Sequence, residues 1–93
     1  MNKKKYQMEA DVLNFIEIEI SFYFPVLLDL MKNDHNSMWT IAFEKIFHDV
    51  KYAIFLKTRQ YYYDKCGSRR EDISFISENL NSHFNQFKSD YQK

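Results

Sequence analysis

The residues able to do chemistry are few and scattered. His35, His48 and His83 are the three histidines. No two share the i, i+4 spacing that puts metal ligands on one helix face, and no CxxC pair occurs. Three surface or rim histidines and no metal are expected. Cys66 is the only cysteine, so a disulfide framework is excluded and a reducing compartment is the default. It precedes Gly67 at an expected helix C-terminus. The helix dipole there opposes a thiolate, whereas Lys65, Arg69 and Arg70 favour one. No histidine lies beside it in sequence, so an inert turn cysteine is expected. The carboxylate pairs Glu17/Glu19 and Glu71/Asp72 are one or two residues apart and diverge on a helix, which leaves no visible acid–base pair. Phosphate-loop, dinucleotide-binding and nucleophile-elbow patterns are absent. The expectation is a protein without catalysis and without a cofactor.

One stretch has a distinctive chemical texture. Between Lys57 and Arg70, the cations Lys57, Arg59, Lys65, Arg69 and Arg70 interleave with Tyr61, Tyr62 and Tyr63. Arginines grip carboxylates or phosphates. Tyrosines fill a partner's pockets or stack on bases. These eight residues are the candidate partner-binding set. A structural reading stands beside it. Cations complement a helix C-terminus, and three consecutive tyrosines spread over about 300° of a helix, so at least one must pack inward.

Charge is uneven along the chain. The 93 residues carry 13 cations and 13 anions, for zero net charge. Residues 1–5 are basic, 6–50 strongly acidic, 51–70 basic and 71–93 mildly acidic. An overall acidic mimic of DNA is therefore excluded, while a local basic patch is not. Residues 1–5, with Lys3, Lys4 and Lys5, read as a disordered solubilising basic tail. No continuous apolar region follows them, because Glu9, Asp11, Glu17 and Glu19 intervene. The longest uncharged run of the apolar first half, Ile20 to Leu28, is far short of the ~20 residues a bilayer span needs. No membrane contact is expected, and the location is read as cytoplasmic.

The elements that must position these groups are marked by sparse punctuation. There is one glycine and one proline, which argues against a many-stranded fold built on tight turns. Pro25, the polar cluster at residues 32–37 and Cys66-Gly67-Ser68 divide the chain into three periodic segments. In the first, Leu13, Ile16, Ile20, Tyr23, Leu27 and Leu30 alternate three- and four-residue steps, as on a helix. A competing period of two runs through Ile16, Ile18, Ile20, Phe22 and Phe24, but no second strand-like run exists to pair with it. Pro25 removes a donor and crowds the preceding turn, so a kink or a split is expected there.

The second segment opens after Asn36 or Ser37, either able to cap a helix. It carries Trp39, Phe43, Ile46, Val50, Ile54 and Tyr61 on its apolar face, with Phe47, Phe55 and Tyr62 on neighbouring or opposite faces. Gly67 suits its end. Ser68-Arg69-Arg70-Glu71 is a capping box for the third segment, in which Ile73, Ile76, Leu80, Phe84, Phe87 and Tyr91 form one stripe. Residues 1–93 are thus read as a single all-α domain, an up-down-up bundle of three long helices.

The first segment is apolar nearly all round between Val12 and Met31, more than a three-helix core of this size needs. A homodimer or a docking surface is the consequence. The functional expectation is a small interaction protein that occupies a surface of a larger protein or complex. Phage or mobile-element inhibitors, antitoxins and immunity-like proteins are of this type. The alternative is a dimeric nucleic-acid-binding regulator using residues 57–70.

Overall fold

A computed structural model describes residues 3–33, 39–67 and 72–92. Three helices make up the fold: α1 (Lys3–Asn33), α2 (Ile41–Cys66) and α3 (Ser74–Tyr91); α1 already includes Lys3, Lys4 and Lys5, where a disordered tail was expected, and residues 1–2 lie outside the described residues. No strand occurs among the described residues, so the alternating run Ile16–Phe24 is helical. The molecule is a rod of 53 × 19 × 18 Å, close to the ~46 Å expected of a 31-residue helix at 1.5 Å per residue.

Pro25 does not split the first segment, since α1 runs as one helix of 31 residues with Pro25 inside it. The proline leaves the Ser21 carbonyl without its i+4 donor. One turn before it, the Ser21 hydroxyl donates to the Ile18 carbonyl at 2.6 Å.

The caps differ in part from the sequence expectation. Thr40 caps α2, its Oγ1 accepting from the Phe43 N–H at 3.0 Å. Asn36 and Ser37 lie outside the described residues. Gly67 ends α2 in the left-handed region at φ 68°, its N–H donating to the Tyr63 carbonyl. Helix α3 begins at Ser74, whose N–H is received by Asp72 Oδ1 at 2.9 Å. The box Ser68–Glu71 lies outside the described residues, and α3 starts three residues beyond it.

Cross-helix pairs set the packing. Asp11 meets Lys65, Phe15 meets Tyr61 and Glu19 meets Lys57, so α2 numbers fall as α1 numbers rise. Between α2 and α3, Tyr62 meets Phe75, Lys51 meets Asn81, Phe47 meets Phe84 and Glu44 meets Lys88.

The core consists of Val12, Ile16, Ile20, Leu27 and Met31 from α1, Phe43, Phe47, Ile54 and Tyr62 from α2, and Ile76, Leu80, Phe84 and Phe87 from α3. The third helix buries the stripe its sequence marks, although Tyr91 at its end is exposed. On α1 the core runs along Val12 and Met31, with Leu13 half-buried and Leu30 exposed. On α2, Phe47 and Tyr62 are core and Ile46 is exposed. Both helices bury residues mainly four apart, so the face turns gradually away from the heptad-like stripe. Buried Thr58 satisfies its hydroxyl by donating to the Ile54 carbonyl at 2.7 Å.

Candidate functional site

The basic–aromatic stretch of α2 does not form one face. Lys57, Tyr61 and Lys65, four residues apart, turn toward α1. Lys57 Nζ pairs with Glu19 Oε1 at 3.1 Å and donates to the Tyr23 hydroxyl at 3.3 Å. Glu19, and then the Tyr23 oxygen, hold the Lys57 ammonium above its usual range. Tyr61 stacks on Phe15 with centroids 4.5 Å apart. Lys65 Nζ lies 5.1 Å from the Tyr61 ring centre and 3.9 Å from Asp11 Oδ2. These groups serve the α1–α2 seam, and acids of α1 balance their charge.

Tyr62 leaves the candidate set on burial. It is 1% exposed, edge-on to Phe75 at 5.2 Å, and a partner cannot reach it without unfolding the bundle. It is the tyrosine that the angular spread of three consecutive positions obliges to face inward. Tyr63 is half-buried. Arg69 and Arg70 lie outside the described residues.

Arg59 stands apart from the seam. Its guanidinium lies 5.6 Å from the Phe55 ring centre, and Phe55 stacks in turn on Tyr52 at 6.4 Å. The row Tyr52, Phe55, Arg59 keeps helical three- and four-residue spacing along one flank of α2. Tyr52 is 61% exposed. Beside this row a groove of about 200 Å³ opens between α2 and α3, lined by Lys51, Tyr52, Phe55, Ser77, Leu80 and Asn81. Lys51 Nζ donates to Asn81 Oδ1 across it at 2.8 Å. Its lining holds a cation, two aromatic rings, a hydroxyl and an amide, and no carboxylate. Arg59 has no carboxylate partner among the described residues.

Sequence reading missed Lys51, Tyr52, Phe55, Ser77 and Asn81. Lys51 and Tyr52 fall just outside the dense charge cluster. Phe55 lies off the main stripe, and the flank that receives it is fixed by α3. The usable signal was the i, i+3, i+7 spacing of Tyr52, Phe55 and Arg59, a ring–ring–guanidinium row on one helix flank.

The remaining chemistry-bearing residues sit elsewhere. No group of three His, Cys, Asp or Glu among the described residues is arranged to hold a metal ion. His48 contacts Glu44 at 3.0 Å, His83 borders a separate surface depression with Phe24 and Asp90, and His35 lies outside the described residues. Cys66 is half-buried at the end of α2. No helix among the described residues is long and apolar enough to cross a membrane.

At the other end of the rod, Glu44 gathers three donors. Lys88 Nζ reaches it at 2.9 Å, Trp39 Nε1 donates to its second oxygen, and His48 contacts it. Lys88 and then Trp39 hold the carboxyl at about 2, against the desolvation that raises it. This cluster fixes Trp39 over Phe43 and Phe47 and reads as an end clasp of the bundle. Comparison with family models, curated proteins and solved structures finds no match for this chain.

Proposed function

We propose that this chain is a small non-catalytic interaction module that occupies a surface of a larger protein, as inhibitors carried by phages or mobile elements do. Its docking site is the α2–α3 groove, and the occupant is an acidic segment of the partner bearing an aromatic or aliphatic anchor. The observation that carries this reading is the unbalanced charge of the groove. Lys51 and Arg59 flank the rings of Tyr52 and Phe55 with no carboxylate in the lining, while Lys57 and Lys65 are balanced by Glu19 and Asp11. Tyrosine and arginine are the residue types that dominate binding energy at interfaces, and opposite charge steers an acidic partner to the groove.

The reading includes a cytoplasmic setting, in keeping with one cysteine and a reducing compartment. It also takes the bundle as up-down-up. The cross-helix pairs Asp11–Lys65 and Glu44–Lys88 support that order of directions. A bend of α1 at Pro25 belongs to it as well, since the proline removes one rung of the helix ladder.

The test uses a fluorescent random copolymer of glutamate and tyrosine as the acidic–aromatic probe, with a single-stranded DNA of matched charge as competitor. Copolymer binding at low salt should weaken at least ~10-fold in Arg59→Glu and in Tyr52→Ala, and stay unchanged in Lys57→Gln. Tighter binding to the DNA, with a salt slope of about −0.7 per phosphate contact, would replace this reading with the regulator alternative. Equal loss in Lys57→Gln and Arg59→Glu would refute the groove as the site.

A further inference from the structure

A second surface, on α1, is independent of that groove. Ile18, Phe22, Val26 and Leu30 are 49%, 67%, 53% and 44% exposed. They stand four residues apart and form one continuous i±4 ridge. The register set by Asp11–Lys65, Phe15–Tyr61 and Glu19–Lys57 puts Ile46 of α2 level with Leu30. Ile46 is itself 39% exposed and extends the patch. These five side chains expose on the order of 500 Å² of apolar surface, at the upper end of what a monomer normally shows.

We propose that this ridge is the interface between two copies of the chain, crossed antiparallel about a two-fold axis at the level of Phe24. The spacing is self-complementary about that point. Ile18 of one copy falls opposite Leu30 of the other, and Phe22 opposite Val26. An isologous contact requires this reciprocity. A ridge with four-residue steps is the kind that packs in the commonest class of helix crossing. Ser21 and Pro25 lie along the ridge and present little bulk for the copy's Phe22 to displace. The Ser21 hydroxyl is already spent on the Ile18 carbonyl, so covering it strands no donor.

Area and reciprocal spacing favour a second copy as the occupant. Two such patches, each ridge together with Ile46, would bury up to about 1,000 Å², the lower limit for a specific stable contact.

The experiment is sedimentation equilibrium of the full chain between about 1 and 100 µM, with far-UV circular dichroism on every variant. The wild-type chain should approach twice its 11.4 kDa mass. Phe22→Glu and Val26→Lys change exposed positions, so the helical spectrum should persist while dimerisation weakens at least ~10-fold. Arg59→Glu, on the groove, should leave the dimer intact, which keeps the two surfaces distinguishable. A wild-type chain that stays monomeric at the highest concentration overturns the proposal. So does a Phe22→Glu variant that is folded and dimerises like wild type.

Discussion

Lys88 Nζ meets Glu44 Oε1 at 2.9 Å across 44 positions of sequence, tying the end of α3 to the start of α2. With Trp39 on the second oxygen, the pair holds the Glu44 carboxyl at about 2 rather than 4.5. A folded-state value below the unfolded one means stability that is present above about 4.5 and is lost as the pH falls toward 2. Glu44 keeps 30% of its side chain in solvent, so screening reduces the contribution to about 1 kcal/mol. Urea unfolding at neutral pH and near pH 3 should show this loss in wild type, and a smaller loss in Glu44→Gln.

Phe47 anchors the aromatic end of the rod. Its ring centre lies 4.9 Å from Trp39, 5.1 Å from Phe84 and 5.7 Å from Phe87, and it is 3% exposed. Phe47→Ala should cost about 3–5 kcal/mol. Against a total of about 5–10 kcal/mol for a domain of this size, a urea or thermal melt should show a large fraction of stability gone.

Thr58 is fully buried, and its hydroxyl donates to a carbonyl of its own helix. That carbonyl keeps its helical N–H donor when the hydroxyl is removed. Thr58→Val should therefore shift stability by less than about 1 kcal/mol. Thr58→Ala loses packed volume and should cost more. Paired urea titrations of the two variants check the ordering, and a Val variant as damaged as the Ala variant would refute it.

Gly67 ends α2 at φ 68°, with open space where a Cβ would stand. The cost of Gly67→Ala is then backbone conformation alone, about 1 kcal/mol. Gly67→Asn should cost less, because asparagine tolerates the left-handed region. Thermal denaturation of both variants tests the order.

Periodicity sufficed where a helix has a single apolar stripe. Helix α3 buries Ile76, Leu80, Phe84 and Phe87 and exposes Asn81, Ser82 and Asn85. Any neighbour must take that one face, so local pattern and final packing agree. The αL end at Gly67 was legible for a similar reason, because glycine takes the left-handed backbone there at no steric cost.

The faces of α1 and α2 were decided only by tertiary structure. Both helices are apolar on more than one side, so helical spacing admits several stripes and cannot rank them. Contact with α3 and with each other selects Val12 and Met31 over Leu13 and Leu30, and Phe47 and Tyr62 over Ile46. The same choice divides the basic stretch, turning Lys57 and Lys65 to the acids of α1 and leaving Arg59 on the ring of Phe55. Composition determined that the chain is helical and carries a surplus of apolar surface. Where that surplus lies depends on contacts between residues tens of positions apart, and helical periodicity carries no record of them.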